Sequence, residues 1–150
     1  MEHTSAVPTN GFAMDPLNVD DVRTVALTSS TGEAAWTGGF FAYGGDGAER
    51  STVIYFAVPP GKRLGRHTDT AEETQFFLGG SGELLRDEGS TPVRAGDVVV
   101  LPEGTAHDLL NTGSEDLRVV GFFAAPKVQQ HWSTERWAPD DSAVTGSPNA

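Results

Sequence analysis

No cysteine occurs in this chain of 150 residues. A disulfide framework, a thiolate metal site and a thiol nucleophile are therefore excluded. Basic residues are scarce: 10 Lys and Arg stand against 21 Asp and Glu, for a net charge of −11. Such a surface repels phosphate backbones and anionic membranes, so neither nucleic acid nor a membrane is an expected partner. No apolar run approaches membrane-spanning length. The opening ten residues, MEHTSAVPTN, lack the basic start and apolar stretch of a secretory signal, and a cytoplasmic protein is the expectation. No Gly-rich loop follows a strand and opens a helix, so a nucleotide site has no support. No serine sits in a nucleophile motif. Helical periodicity is also missing; only residues 128–132 read as a single helical turn.

Turn formers are abundant, with 18 Gly and 9 Pro, while 37% of residues are apolar. Between the turn signals lie short β-like runs at 22–27, 34–43, 52–58, 74–78, 83–86, 98–101, 107–110 and 118–123. Short strands at this spacing predict an all-β antiparallel sandwich or barrel. The length suits one domain with its own core. Residues 1–16 are expected to be a flexible N-terminal segment, 17–137 the folded domain, and 138–150 a disordered tail.

Chemistry concentrates in two Gly/Pro-framed stretches. The first runs from Gly61 through His67, Asp69 and Glu73 to Gly80. The second runs from Gly96 through Pro102, Gly104 and His107 to Asn111. Two imidazoles and two carboxylates are enough for a divalent cation. In a strand, residues two apart share a face, so His67 and Asp69 point together, and so do Glu73, Gln75 and Phe77. Burying these polar groups without compensation would be costly; a divalent ion removes that cost. Leu101-Pro102-Glu103-Gly104 reads as a tight turn, with proline second and glycine fourth, that aims His107. His3 and His131 lack motif spacing and read as incidental.

These two stretches resemble the paired motifs of the cupin superfamily. Gly96, Pro102, Gly104, His107 and Asn111 match its second motif throughout. Gly61, His67, Glu73 and Gly80 match its first, with Asp69 where the family has its second histidine. The resemblance implies a double-stranded β-helix, a jelly-roll β-barrel, with one metal ion in its mouth. His67, Asp69, Glu73 and His107 are then the expected ligands, with Asp69 bound directly, bound through a water, or leaving an open position. Gln75 competes with Glu73 on register, because Gly82 follows it at the same spacing; Glu73 is preferred. Fe(II) is the favoured metal, with Mn(II), Zn(II) or Ni(II) as alternatives.

The expected function is an Fe(II) oxygenase, a dioxygenase-type oxidoreductase acting on a small organic metabolite. A redox-neutral isomerase, cyclase or lyase using Zn(II) or Mn(II) is the alternative, and a non-catalytic ligand-binding protein the third reading. Asp69 and Gln75 are the catalytic candidates, and Tyr55, Gln75 and Phe77 the expected pocket. A homodimer is expected, with the run from Trp36 to Phe41 offering apolar residues for a partner to cover.

Overall fold

The computed structural model of the chain describes residues 14–150. The expected N-terminal segment, and His3 with it, lies almost wholly outside the described residues. Thirteen strands follow a short 3₁₀ turn at Val19–Asp21: β1 Val25–Thr28, β2 Ala35–Gly44, β3 Gly47–Ala48, β4 Thr52–Val58, β5 His67–Asp69, β6 Glu73–Gly79, β7 Ser81–Arg86, β8 Gly89–Arg94, β9 Val98–Leu101, β10 His107–Asn111, β11 Leu117–Phe123, β12 Gln129–Trp132 and β13 Val144–Gly146. They form two facing sheets. One is ordered β1-β2-β4-β11-β6-β9, with the two-residue β3 joined in parallel to β2. The other is ordered β13-β12-β5-β10-β7-β8. All other strand pairings are antiparallel. The fold is the double-stranded β-helix expected from the sequence. Among the described residues no helix is long and apolar enough to cross a membrane.

The core lies between the sheets and follows from period-two alternation. In β4, Ile54, Phe56 and Val58 belong to the core cluster, while Tyr55 faces outward, its hydroxyl accepting from Arg118 Nε at 2.9 Å. Val119, Leu117 and Phe123 of β11 join them, as do Leu84 and Leu109 from the opposite sheet. Trp36, Trp132 and Trp137 meet at one end of this core. Trp36 stacks on Trp132 at 6.3 Å between centroids, and Trp137 packs edge-on to Trp132 at 4.9 Å.

Several expectations change here. Residues 128–132 are not a helical turn; they hold strand β12. Gln130 and Trp132 are buried and His131 is exposed, an alternation of period two rather than 3.6. Residues 138–150 are not a disordered tail. β13 pairs with β12 and extends the sheet edge, and Ser147 is buried. Asn149 Nδ2 donates to the carbonyls of Gly44 and Pro126. Composition misleads there because a three-residue edge strand is held by backbone hydrogen bonds, which polar residues supply as well as apolar ones. Trp36 and Phe40 offer little to a partner, since both are already buried within the chain. The turn before β10 is displaced by one residue. Thr105 N donates to Pro102 O at 3.2 Å, which puts Gly104 third, at φ 77°. That left-handed angle is one glycine adopts without strain.

The C-terminal stretch therefore belongs to the folded domain, and Trp137 is its anchor, 1% exposed. Removal of residues 138–150, which strips β12 of its partner β13, is expected to cost about 2 kcal/mol or more in urea unfolding. A loss below about 0.5 kcal/mol would return the stretch to the status of a tail.

Candidate metal centre

β5 and β10 are neighbours, and His67 pairs directly with His107 across them. The two ring centroids stand 4.4 Å apart. Each ring is aimed by its own backbone. Nδ1 of His67 lies 2.8 Å from Gly65 O, and Nδ1 of His107 lies 2.8 Å from Thr105 O. With Nδ1–H donating to those carbonyls, both Nε2 lone pairs are free to bind an ion. The carbonyl of Gly65 is itself held in place. Gly65 N donates to Asp108 Oδ1 at 2.8 Å, and Arg63 Nε donates to Asp108 Oδ2 at 2.7 Å. Gly65 has φ 114°, and a Cβ there would crowd Trp132 and Glu135. Gly104 N donates to Asp69 O at 3.0 Å, tying the turn before His107 to the end of β5.

Asp69 shares the inward face of His67. Its Oδ2 lies 3.6 Å from His67 Nε2 and 3.5 Å from His107 Nε2. Glu73 enters from β6 in the other sheet, with Oε1 3.7 Å from His107 Nε2. Donors with bonds of about 2.1 Å to one ion at tetrahedral angles stand roughly 3.4 Å apart, so these separations suit a single metal. His67, Asp69 and His107 form the compact set, their ligand atoms all within 4.8 Å of one another. Glu73 stands at its side. Space for Glu73 is made by Gly121 of β11, where any Cβ would overlap Glu73 Oε2.

All four groups are buried. Among the described residues, His107 Nε2 and both Asp69 oxygens have no hydrogen-bond partner. Leaving such groups unpaired costs about 1–3 kcal/mol each, more when they are charged. Burial lowers His67 to about 4 from its ordinary 6.5 and lowers His107 as well, aided there by the charge of His67. Burial raises Asp69 from 3.8 to about 6, opposed chiefly by His107. Burial, then the charge of Asp69, raises Glu73 well above its usual range. The Gln130 amide faces Asp69 and restrains its rise, though without reaching either oxygen in hydrogen-bonding geometry. Two neutral imidazoles and two carboxylates that resist ionising together are a fitting donor set for a divalent cation, which would neutralise both acids.

The donors open into a pocket walled by Trp36, Ile54, Phe56, Leu64, Phe123 and Trp132. Its polar end also holds Gln75 and Gln130. Gln75 Nε2 donates to Glu73 Oε1 at 3.2 Å, and Gln75 Oε1 has no partner among the described residues. Of the residues expected to line the pocket, Gln75 does so. Tyr55 does not, because alternation in β4 turns it to the outer face. Phe77 does not either; it lies farther along β6, inside the apolar core. The sequence reading missed the apolar walls Trp36, Ile54, Phe56, Leu64 and Phe123, and Gln130 and Trp132 of β12 with them. Asp108 and Gly121 carried no local signal at all, since their roles exist only across strands.

Residues 54–123 match the family model of the Cupin domain. This segment is a domain of the cupin superfamily. An oxalate-binding protein of Thermotoga maritima is 36% identical over 61 residues, which are 40% of this chain and 50% of that protein. The match thus spans about half the length of that curated relative. Among solved structures, the polyketide cyclase RemF from Streptomyces resistomycificus superposes with a TM-score of 0.62 at 24% identity, over 73% of this chain and 78% of that one. A predicted oxalate decarboxylase from Thermotoga maritima gives 0.63 at 19% identity, over 74% and 99%. At these identities the structural likenesses speak for the fold.

Acid should oppose metal uptake with a defined sign. Below about pH 6 the metal-free chain holds a proton on Asp69 that the ion must displace. His67, at about 4, is already neutral there and contributes nothing. Affinity should therefore fall by about tenfold per pH unit for each displaced proton as pH drops from 6 to 5. Chelator competition measures this; a dissociation constant unchanged between pH 7 and 5 would contradict it.

Proposed function

We propose that this cupin is a metal-dependent enzyme that rearranges a flat, uncharged, oxygen-bearing organic molecule by moving protons, as an isomerase, cyclase or lyase does. In this reading His67, Asp69 and His107 hold a divalent cation. The observation that carries it is the position of Asp69 Oδ2, nearly equidistant from the two Nε2 atoms and without a hydrogen-bond partner among the described residues, while Glu73 stands outside that triangle. When bound, the ion supplies Lewis-acid polarisation of a substrate carbonyl or hydroxyl. Glu73, held by Gln75 Nε2, is the carboxyl left to take and return a proton. The aromatic walls exclude water and orient a ring system.

The relatives support different substrates. One fold neighbour is described as a polyketide cyclase, and the curated relative as oxalate-binding. Oxalate fits less well: none of the eleven residues lining the pocket is Lys or Arg, and two are carboxylates. A second reading is oxidation by O₂ at Fe(II). It is favoured by the compact donor set itself, two imidazoles and one carboxylate, an arrangement that suits non-haem Fe(II).

Two copies are also proposed to pair. Phe76 and Leu78 of β6, Val98 and Val100 of β9, and Phe122 of β11 are exposed. The ladder places Phe76 beside Val98, and Thr74 between Val100 and Phe122, so they share the outer face next to β9, which has one neighbour among the described residues.

Metal analysis of protein prepared without chelator, combined with deuterium exchange into hydroxyaromatic ketones in D₂O, tests the reaction. Glu73→Gln is expected to keep its metal and to lose exchange by about 10²–10⁴-fold. Loss of the metal in Glu73→Gln would make Glu73 a ligand and sink its proposed role. Substrate-dependent O₂ uptake by an iron-loaded protein would move the conclusion to the second reading.

Sedimentation at micromolar concentration tests the pairing. The expected species has twice the 15.9 kDa of one chain, and Val98→Glu with Val100→Glu should reduce it to a monomer. A wild-type monomer would refute it.

A further inference from the structure

The metal pocket has a cavity volume of only about 30 Å³. That is room for roughly two or three water molecules, too little for the body of an organic substrate. A second cavity, of about 280 Å³, lies against it. The two share Trp36, Ile54 and Gln130 as walls. The rest of the larger chamber is built by β1 and β2 on one side, through Leu27 and Phe40, and by the C-terminal segment on the other, through Trp137, Asp140 and Val144. None of its lining residues is Lys or Arg.

Gln130 stands at the threshold and is fixed there from the chamber side. Trp132 Nε1 donates to Thr145 Oγ1 at 2.9 Å, and Thr145 Oγ1 donates to Gln130 Oε1 at 2.9 Å. Because Gln130 is paired in the sheet with Asp69, the same residue touches the environment of the donors and that of the chamber.

We infer that this chamber seats the body of the substrate, an uncharged ring system whose oxygen-bearing end passes Gln130 and Trp36 to reach the donor cluster. The assignment rests on the metal-site reading for the direction of the ligand. Its residues, however, lie largely outside the stretch that matches the family. Leu27, Trp36 and Phe40 precede residue 54, and Gln130, Trp137 and Val144 follow residue 123. Apolar walls make burial of a ring favourable at about 25 cal/mol per Å². The missing cation, together with Asp140 in the wall, opposes a carboxylate.

Calorimetric titration of the full chain with 2-naphthol, and with its anionic analogue 2-naphthoate, tests this. It is run on zinc-loaded and on chelator-treated protein. Two variants fill the chamber from opposite walls, Val144→Trp at an exposed edge-strand position and Leu27→Trp on β1. The expected result is 2-naphthol binding that each filler weakens by at least about tenfold, with zinc content unchanged, and 2-naphthoate binding at least about tenfold weaker than 2-naphthol. Retained zinc certifies the fold of each variant, and either filler alone decides the matter. Absence of 2-naphthol binding, fillers without effect, or 2-naphthoate binding as tightly as 2-naphthol would overturn the assignment. A chain that takes up no zinc yet binds 2-naphthol in a filler-sensitive way would refute the metal-site reading and leave the chamber standing.

Discussion

Two carboxyl groups and two imidazoles share one buried spot between the sheets, and much of the local structure serves to keep them there. Removed from water, Asp69 and Glu73 repel each other's charge, and among the described residues no Lys or Arg forms an ion pair with either. A hydrophobic replacement of the same shape would stabilise the barrel better. What the arrangement provides instead is a set of lone pairs already aimed. Gly65 and Thr105 carbonyls fix the rings, Asp108 and Arg63 fix the Gly65 peptide, and Gly121 leaves room for Glu73. A donor set so held loses little entropy on taking an ion.

Asp69 changes the electrostatics of that site. With a histidine in its place the buried cluster, Glu73 included, would carry one negative charge when ionised; with aspartate it carries two. A divalent cation would then leave a site of no net charge, in a pocket with no Lys or Arg. Neutral ligands suit such a place better than anions, because no excess positive charge remains to attract one. The departure from the family pattern and the apolar walls thus favour the same class of molecule.

What the sequence made legible was whatever depends on short range. The strand runs with β-branched and aromatic residues, the Gly/Pro turns between them, and the motif histidines all announce themselves within a dozen residues. The pairing of His67 with His107, across forty residues, was readable only because each motif resembles a known half of one site. Gly121 and Asp108 were not readable, since one is defined by the oxygen it makes room for and the other by a peptide in a different strand. Tyr55 went astray because β4 is apolar on both faces, so its alternation could not be read from composition. The C-terminal strand went astray for the opposite reason: its residues are polar, yet its backbone completes the sheet.

The donors and the walls come from different parts of the chain, and this follows from what each must do. His67 and Asp69 lie on β5 and His107 on β10, each strand flanked on both sides. Central strands hold side chains to small tolerances, which a multi-donor site needs. Gln130, Trp132 and Val144 lie on β12 and β13, at the sheet's margin, where β13 has a single neighbour among the described residues. A margin can change residue or even length without disturbing the donors, because few backbone hydrogen bonds depend on it. Selectivity for the body of a ligand is therefore most easily varied at β13, and chemistry most easily conserved at β5 and β10. Gln130 is the side chain that belongs to both, paired with Asp69 in the sheet and hydrogen-bonded to Thr145 at the rim.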